Sequence, residues 1–194
     1  SVVFFGSIVG YALARLQFIG RELVFNIILF TMVIPFQIIM IPMYILMVKF
    51  GWVDTYLALI IPSMINAFGI LLFRQYYRDI PEDLVDAARI DGCNDFQILF
   101  KIFWPISRPV IITVGIISFM QNWNKVLWPL IVIRVRELMT MPQMVTIFAT
   151  GGQAESQLGA QLAAATLLAL PIIAVYAFFQ KYFIESMATS GMKS

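Results

Sequence analysis

Apolar residues in this chain come in long runs separated by short polar stretches, a pattern of whole-segment burial with little alternation along any one segment. A bilayer core needs about 20 residues of mostly apolar helix. Residues 24–48 supply one such run, interrupted by Thr31, Gln37 and two prolines; residues 57–73, 110–133 and 162–179 supply three more. Residues 1–13 read as the remaining end of a fifth. Each of the four intact runs holds proline: Pro35 and Pro42, Pro62, Pro129 and Pro171. Proline removes a helical hydrogen bond and kinks the helix, which suits a bundle that rearranges, although prolines are also commoner in membrane helices generally. Gly6 and Gly10, four residues apart, fit a close helix–helix contact.

Composition agrees with this pattern. Of 194 residues, 61% are apolar and 12% charged, against about 45–50% and about 25% in soluble domains. The same numbers exclude a disordered chain, a collagen-like repeat and a disulfide scaffold. With no histidine and one cysteine, Cys93, the chain lacks the residues for Ser-His-Asp or Cys-His catalysis, histidine metal sites, internal disulfides and C-x-x-C redox pairs. A net charge of +2 does not point to nucleic acid. The chain starts at Ser1 inside an apolar run, so we expect it to lack its natural N-terminus, and nothing in it resembles a cleavable signal peptide.

Lysine and arginine set the expected orientation, because cytoplasmic loops are enriched in them. Arg15, Arg21, Arg74, Arg78, Arg89, Lys101, Arg108, Lys181 and Lys193 fall on one side, and Lys49, Arg134 and Arg136 on the other. The loop of residues 74–108 and the C-terminus are therefore expected in the cytoplasm. All eleven acidic residues lie outside the spans, whereas ion-driven transporters need ionisable groups within the membrane. Only Lys125 falls inside a span, and the chain has no G-x-x-x-x-G-K-[ST] phosphate loop. If the chain moves a solute uphill, a partner must deliver the energy.

The cytoplasmic loop reads as two short helices. Asp79 and Glu82 have capping-box spacing with Pro81 suited to the first turn. Leu84, Ala87 and Ala88 form an apolar stripe, and Gly92 is placed to end the helix in a left-handed conformation. Asn94 with Gln97 starts the second helix, whose Phe96, Leu99, Phe100 and Phe103 are expected to pack on the bundle before Pro105 and Pro109 break the chain. Such an alanine-faced helix either enters a groove on a partner or is a solvated surface helix.

Asp86-Ala87-Ala88, three residues, Gly92, nine residues, then Ile102-Phe103-Trp104-Pro105 resembles the EAA loop of ABC importer permeases, E-A-A-x3-G-x9-I-x-L-P. Asp86 stands for the usual Glu, keeping the charge with a shorter reach, and Trp104 for the usual Leu. The resemblance covers nearly the whole chain: Tyr11-Ala-Leu-Ala-Arg15, the Pro35…Pro42 helix, Phe68-Gly-Ile-Leu-Leu-Phe-Arg-Gln75, Ala87-Ala-Arg-Ile-Asp-Gly92, Trp123-Asn124, Leu127-Trp-Pro-Leu130 and Gly191-Met-Lys-Ser194 look like the carbohydrate uptake class.

The resemblance implies an all-α polytopic transmembrane helix bundle with five of an expected six spans present. It implies a single permease domain, residues 1–194, with a coupling loop at residues 74–109. Asp86, Ala87, Ala88, Asp91, Gly92, Ile102 and Pro105 would then form the element that docks an ATPase subunit. The implied partners are ATPase subunits that bind ATP and Mg, a second and usually non-identical permease, an extracytoplasmic solute-binding protein and the lipid of a bacterial inner membrane. No cofactor and no catalytic residue is expected in this chain.

Candidates for the solute path are the polar residues interrupting the spans: Asn122, Trp123, Asn124 and Lys125, with Gln37 and Asn66 as further ones. The family commonly has an acidic residue where Lys125 stands. A lysine in the bilayer core costs roughly 2.5–3.5 kcal/mol on insertion scales, so Lys125 lines the path, snorkels to the interface or pairs with a second permease. Trp123 and Trp128 are placed either to stack on sugar rings or to anchor at the membrane edge. Residues 134–159 read as a polar, glycine-containing external segment that contacts the binding protein or merely connects two spans. The rival readings are a secondary transporter, a membrane-embedded enzyme and a structural subunit of a membrane complex.

Overall fold

The computed structural model describes residues 1–150 and 158–191, with side chains through residue 179. Among the described residues every regular element is helical, as the apolar runs require. Gly151 and Gly152, and the side chains of Lys181 and Lys193, lie outside the described residues.

Among the described residues two stretches are long and apolar enough to cross a membrane, Tyr56–Arg78 and Leu158–Phe179, and two further helix pairs qualify if each bent pair is one span. The run at residues 1–13 forms helix α1 (Val2–Arg15). The run at 24–48 is not one helix: α2 (Arg21–Val33) stops before α3 (Phe36–Lys49). Ile34, at φ −75° and ψ 118°, is extended, because the ring of Pro35 crowds the residue before it out of the helical region. Pro42, by contrast, sits inside α3 without ending it.

Tyr56–Arg78 is built from α4 (Tyr56–Ile60), a 3-10 turn (Ile61–Ser63) holding Pro62, and α5 (Ala67–Arg78). The loop after α5 carries α6 (Asp83–Ile90), α7 (Asp95–Ile98), a π-helical turn (Leu99–Phe103) and α8 (Trp104–Ile106). At Ser107 the path turns by 84° into α9 (Arg108–Trp123). The run expected at 110–133 therefore ends early, and after residues 124–126 it resumes as the short α10 (Leu127–Val132). A 3-10 turn (Arg136–Leu138) and α11 (Met141–Thr150) follow, then α12 (Leu158–Gly191), which continues through Pro171.

The chain divides into two compact units. The first comprises Ser1–Pro35 and Met64–Ser118, and the second Phe36–Ser63 and Phe119–Ser194. In the first, α1 lies directly on α5. A Cβ on Gly10 would come 2.5 Å from Phe73 Cβ and 3.0 Å from the Arg74 nitrogen, whereas one on Gly6 would meet Phe73 at an ordinary 3.4 Å. The close contact expected from the glycine pair is thus real, and Gly10 carries most of it. Around it Tyr11, Phe73, Tyr77 and Phe103 form an aromatic cluster with ring centroids 5.1 Å apart for Tyr11–Phe103 and 5.2 Å for Tyr77–Phe103. Edge-to-face pairs of this kind contribute about 0.5–1.5 kcal/mol each beyond burial.

In the second unit α3, α4 and α10 enclose Met47, Ala58, Trp128 and Val132. Asp54, at φ 59°, holds the turn before α4. Its Oδ1 accepts from the backbone amides of Arg134 and Val135, and these bonds hold the exposed carboxyl below its ordinary range. Within the segment expected at 134–159, the described residues 136–138 and 141–150 are helical, which its polarity did not suggest. Met141, Met144, Val145 and Phe148 have helical spacing, and α11 packs on α12. Gln143 is buried there, donating to the Ile133 carbonyl at 2.7 Å.

Candidate coupling loop and solute path

The loop between Arg78 and Arg108 is organised by local chemistry first. Asp79 closes α5 and makes no capping box: α6 begins at Asp83, and Glu82 at its N-cap makes no side-chain cap bond. Gly92, at φ +79°, ends α6 as expected. The Cys93 amide donates to the Ala88 carbonyl at 2.9 Å and the Gly92 amide to the Arg89 carbonyl at 3.0 Å, the paired bonds of a Schellman turn. Asn94 and Gln97 do form a capping box, each side-chain oxygen accepting from the other's amide at 2.9 Å.

Tertiary packing then decides which face is free. Val85 and Ala88 of α6 point into the core, while Leu84, Asp86, Ala87 and Ile90 are exposed. The expected stripe of Leu84, Ala87 and Ala88 is therefore split, because Ala88 meets the aromatic cluster. Ile90 is 87% exposed and Phe96 65% exposed, so Phe96 does not pack on the bundle, whereas Leu99 and Phe103 do. Asp91 is exposed at the C-cap of α6, Ile102 is half-buried against the cluster, and Pro105 is exposed in the first turn of α8.

Several polar bonds tie this loop to the membrane helices of its unit. Trp104 donates through Nε1 to Ser7 Oγ at 3.0 Å, and Tyr11 donates to Asp95 Oδ1 at 3.3 Å. Asp95 also pairs with Arg89 at 3.5 Å. Tyr76 donates to the Ile106 carbonyl at 3.1 Å. Arg15 caps the end of α5, giving Nε and Nη2 to the Tyr77 carbonyl at 3.0 and 2.7 Å and Nη2 to the Ile80 carbonyl. Arg74 grips Glu22 through Nη2 at 2.8 and 3.0 Å and lies 3.5 Å over the Phe25 ring. Side chains thus connect α6 and its loop to α1, α2 and α5. Spacing did not reveal these arginines as structural, although Arg15 and Arg74 at the ends of apolar runs were the available signal.

The path candidates fall in both compact units. Asn66, in the first unit, caps α5, its Oδ1 accepting from Phe68 at 2.8 Å and Gly69 at 3.4 Å. Gln37 is exposed at the start of α3. Asn122, Trp123, Asn124 and Lys125 cluster at the end of α9 in the second unit. There Lys125 Nζ donates to Asn122 Oδ1 at 2.8 Å and to Ser63 Oγ at 3.2 Å, and Asn124 Nδ2 donates to the Met120 carbonyl at 3.0 Å. Trp123 donates to the Leu168 carbonyl at 3.0 Å and stacks on Phe119. Trp128 is not available to a sugar: it is 4% exposed and donates to the Ala58 carbonyl at 2.8 Å. Among the described residues no group of three or more acidic or cysteine side chains is gathered to hold a metal.

Residues 3–189, which include the loop and the polar break, match the binding-protein-dependent transport system inner membrane component family. The chain belongs to that family. It is the membrane permease subunit of an ATP-binding-cassette importer, a multi-pass inner-membrane protein whose ATPase is a separate subunit. It is 39% identical over 190 residues to the arabinooligosaccharides transport system permease protein AraQ of Halalkalibacterium halodurans, covering 97% of this chain and 67% of that one. It is 35% identical to the lactose transport system permease protein LacG of Rhizobium radiobacter, covering 95% of this chain and 67% of that one. A crystal structure of a bacterial ABC transporter involved in the import of the acidic polysaccharide alginate superposes on the permease with a TM-score of 0.73 at 29% identity, covering 93% and 72% of the two chains.

Proposed function

We propose that this permease forms half of the translocation path for a carbohydrate or related polyol, and that the exposed face of α6 is where the ATPase subunit docks. The observation that carries the docking reading is the outward set Leu84, Ala87 and Ile90 on a helix whose inner face is fixed to α1 and α5 through the aromatic cluster. Docking there would bury apolar area now in water and couple closure of the ATPases to the membrane helices. Asp86 and Asp91 flank that face and supply the charge for a rim contact, while Gly92, Ile102 and Pro105 set the shape of the loop.

Carbohydrate is supported by the solutes named for the relatives, which include arabinooligosaccharides, lactose and the acidic polysaccharide alginate. The remaining partners are a second permease of different sequence and an extracytoplasmic binding protein. ATP and Mg belong to the ATPase, and this chain contributes no cofactor site. The bias of lysine and arginine supports a cytoplasmic C-terminus.

The test is co-purification of the ATPase with tagged full-length permease carrying Leu84→Asp and Ile90→Asp together. Both side chains are exposed, so the variant is expected to fold and insert with stability within about 0.5 kcal/mol of the parent. ATPase recovery is expected to fall by at least about ten-fold, the effect of losing roughly 1.4 kcal/mol of contact. Full recovery of ATPase with the double variant would remove α6 as the docking element.

A further inference from the structure

In the second unit two interruptions of apolar helix meet. One is the 3-10 turn Ile61–Ser63, and the other is the gap at residues 124–126 between α9 and α10. Lys125 bridges them, its Nζ donating across to Ser63 Oγ at 3.2 Å and back to Asn122 Oδ1 at 2.8 Å. Irregular backbone at membrane depth is tolerated where it is buried in protein or lines a water-filled cavity. Asn122, Asn124 and Lys125 are exposed on this chain, so the break is not buried within its own unit and opens to a cavity or to a partner's surface.

The ammonium is tethered to a residue 62 positions away, so it is held at the break and does not reach freely for the interface. Both of its acceptors are neutral, and among the described residues no carboxylate lies in ion-pair range of it. An ammonium has three N–H donors, so one donor and the whole charge remain to be matched. A single compact ammonium with one open donor is a point charge that suits a monoanionic carboxylate, and it binds a phosphate as well, so the test carries a phosphate arm.

We propose that Lys125, positioned by Ser63 and Asn122, is a specificity-determining residue of the solute path and that the solute is an acidic carbohydrate whose uronate carboxylate it binds. The proposal rests on the carbohydrate reading and narrows it.

The experiment uses the complete transporter, with its second permease, ATPase and binding protein, in phosphatidylcholine vesicles. Uptake is compared for a galacturonate trimer, the carboxyl-reduced galactose trimer and galactose 1-phosphate. The parent is expected to favour the uronate trimer. In Lys125→Gln the uronate-to-neutral uptake ratio should fall at least about ten-fold, the loss of one charge-assisted hydrogen bond, and Lys125→Arg should retain the preference. An equal effect of Lys125→Gln on both trimers, or a parent that favours the neutral trimer or the phosphate, overturns the proposal. So does a Gln effect that arises only when phosphatidylglycerol is added, which would assign the charge to lipid. Loss of the second permease from Lys125→Gln preparations would assign it to a subunit contact and overturn it equally. A complex that hydrolyses ATP yet takes up none of the three probes overturns the carbohydrate reading as well, whereas loss of the charge preference alone leaves that reading standing.

Discussion

Arg74 and Lys125 are both cations on largely apolar helices, one in each compact unit, and their surroundings differ in kind. Arg74 is 7% exposed and fully engaged: both Glu22 oxygens accept from it, the Leu13 carbonyl accepts at 3.3 Å, and Phe25 lies beneath it. Lys125 is exposed and meets only neutral oxygens. A cation whose charge is matched inside its own unit holds helices together. One whose charge is left unmatched is available to something that binds. The first unit thus holds its loop and membrane helices together through matched contacts, and the second carries an open polar break.

The largest expected effect sharpens the rigid half of that contrast. Gly10→Ala places a Cβ 2.5 Å from Phe73 Cβ, and Gly6→Ala places one 3.4 Å from Phe73. The first should force α1 from α5 at a cost of about 3 kcal/mol, and the second should be tolerated within about 1 kcal/mol. Thermal unfolding of the detergent-solubilised chain, followed by size-exclusion profile, reads both. Equal stability of the two variants would break the account of α1 and α5 as one rigid pair.

Next comes the charge comparison itself. Arg74→Ala strands Glu22 and uncovers Phe25. Because Glu22 is more than half exposed, solvent screening limits the loss to about 1–2 kcal/mol, well short of a fully buried pair. Lys125→Ala in the same assay should change stability by less than about 0.5 kcal/mol. A larger loss from Lys125 than from Arg74 would reverse the assignment of structural and open cations.

The smallest effect concerns Asp54, whose carboxyl is held below its ordinary value of 3.8 by the backbone amides of Arg134 and Val135. A lowered carboxyl stabilises the fold above the unfolded value, and the gain is lost as pH falls through the folded one. Protection of the Arg134 and Val135 amides from hydrogen exchange should therefore persist near neutrality and decline only in acid below that ordinary value. Asp54→Asn keeps an acceptor oxygen and tolerates the left-handed backbone, so its protection should be insensitive to pH.

The helical bundle, the Gly6–Gly10 contact, the end of α6 at Gly92 and the Asn94–Gln97 box were all legible in the sequence. Each depends on residues within a few positions of one another, and helix geometry alone brings them together. The same locality misled at Asp79, where capping spacing was present but α5 had not yet ended. It also misled over residues 24–48 and 110–133, where apolar content was continuous but the backbone was not: Pro35 turns Ile34 extended, and α9 ends at Trp123 before α10 begins at Leu127.

The spacing from Asp86 to Pro105 and the run lengths were enough to indicate the kind of protein this is, because a motif and a bilayer span are properties of distance along the chain. Which side of each helix faces its neighbours is a different quantity. Ala88 turns inward while Leu84 and Ile90 stay out, Trp128 is sealed against Ala58, and Lys125 reaches Ser63. These outcomes depend on surfaces contributed from distant parts of the chain, and packing those surfaces to interior density leaves each side chain one place to go.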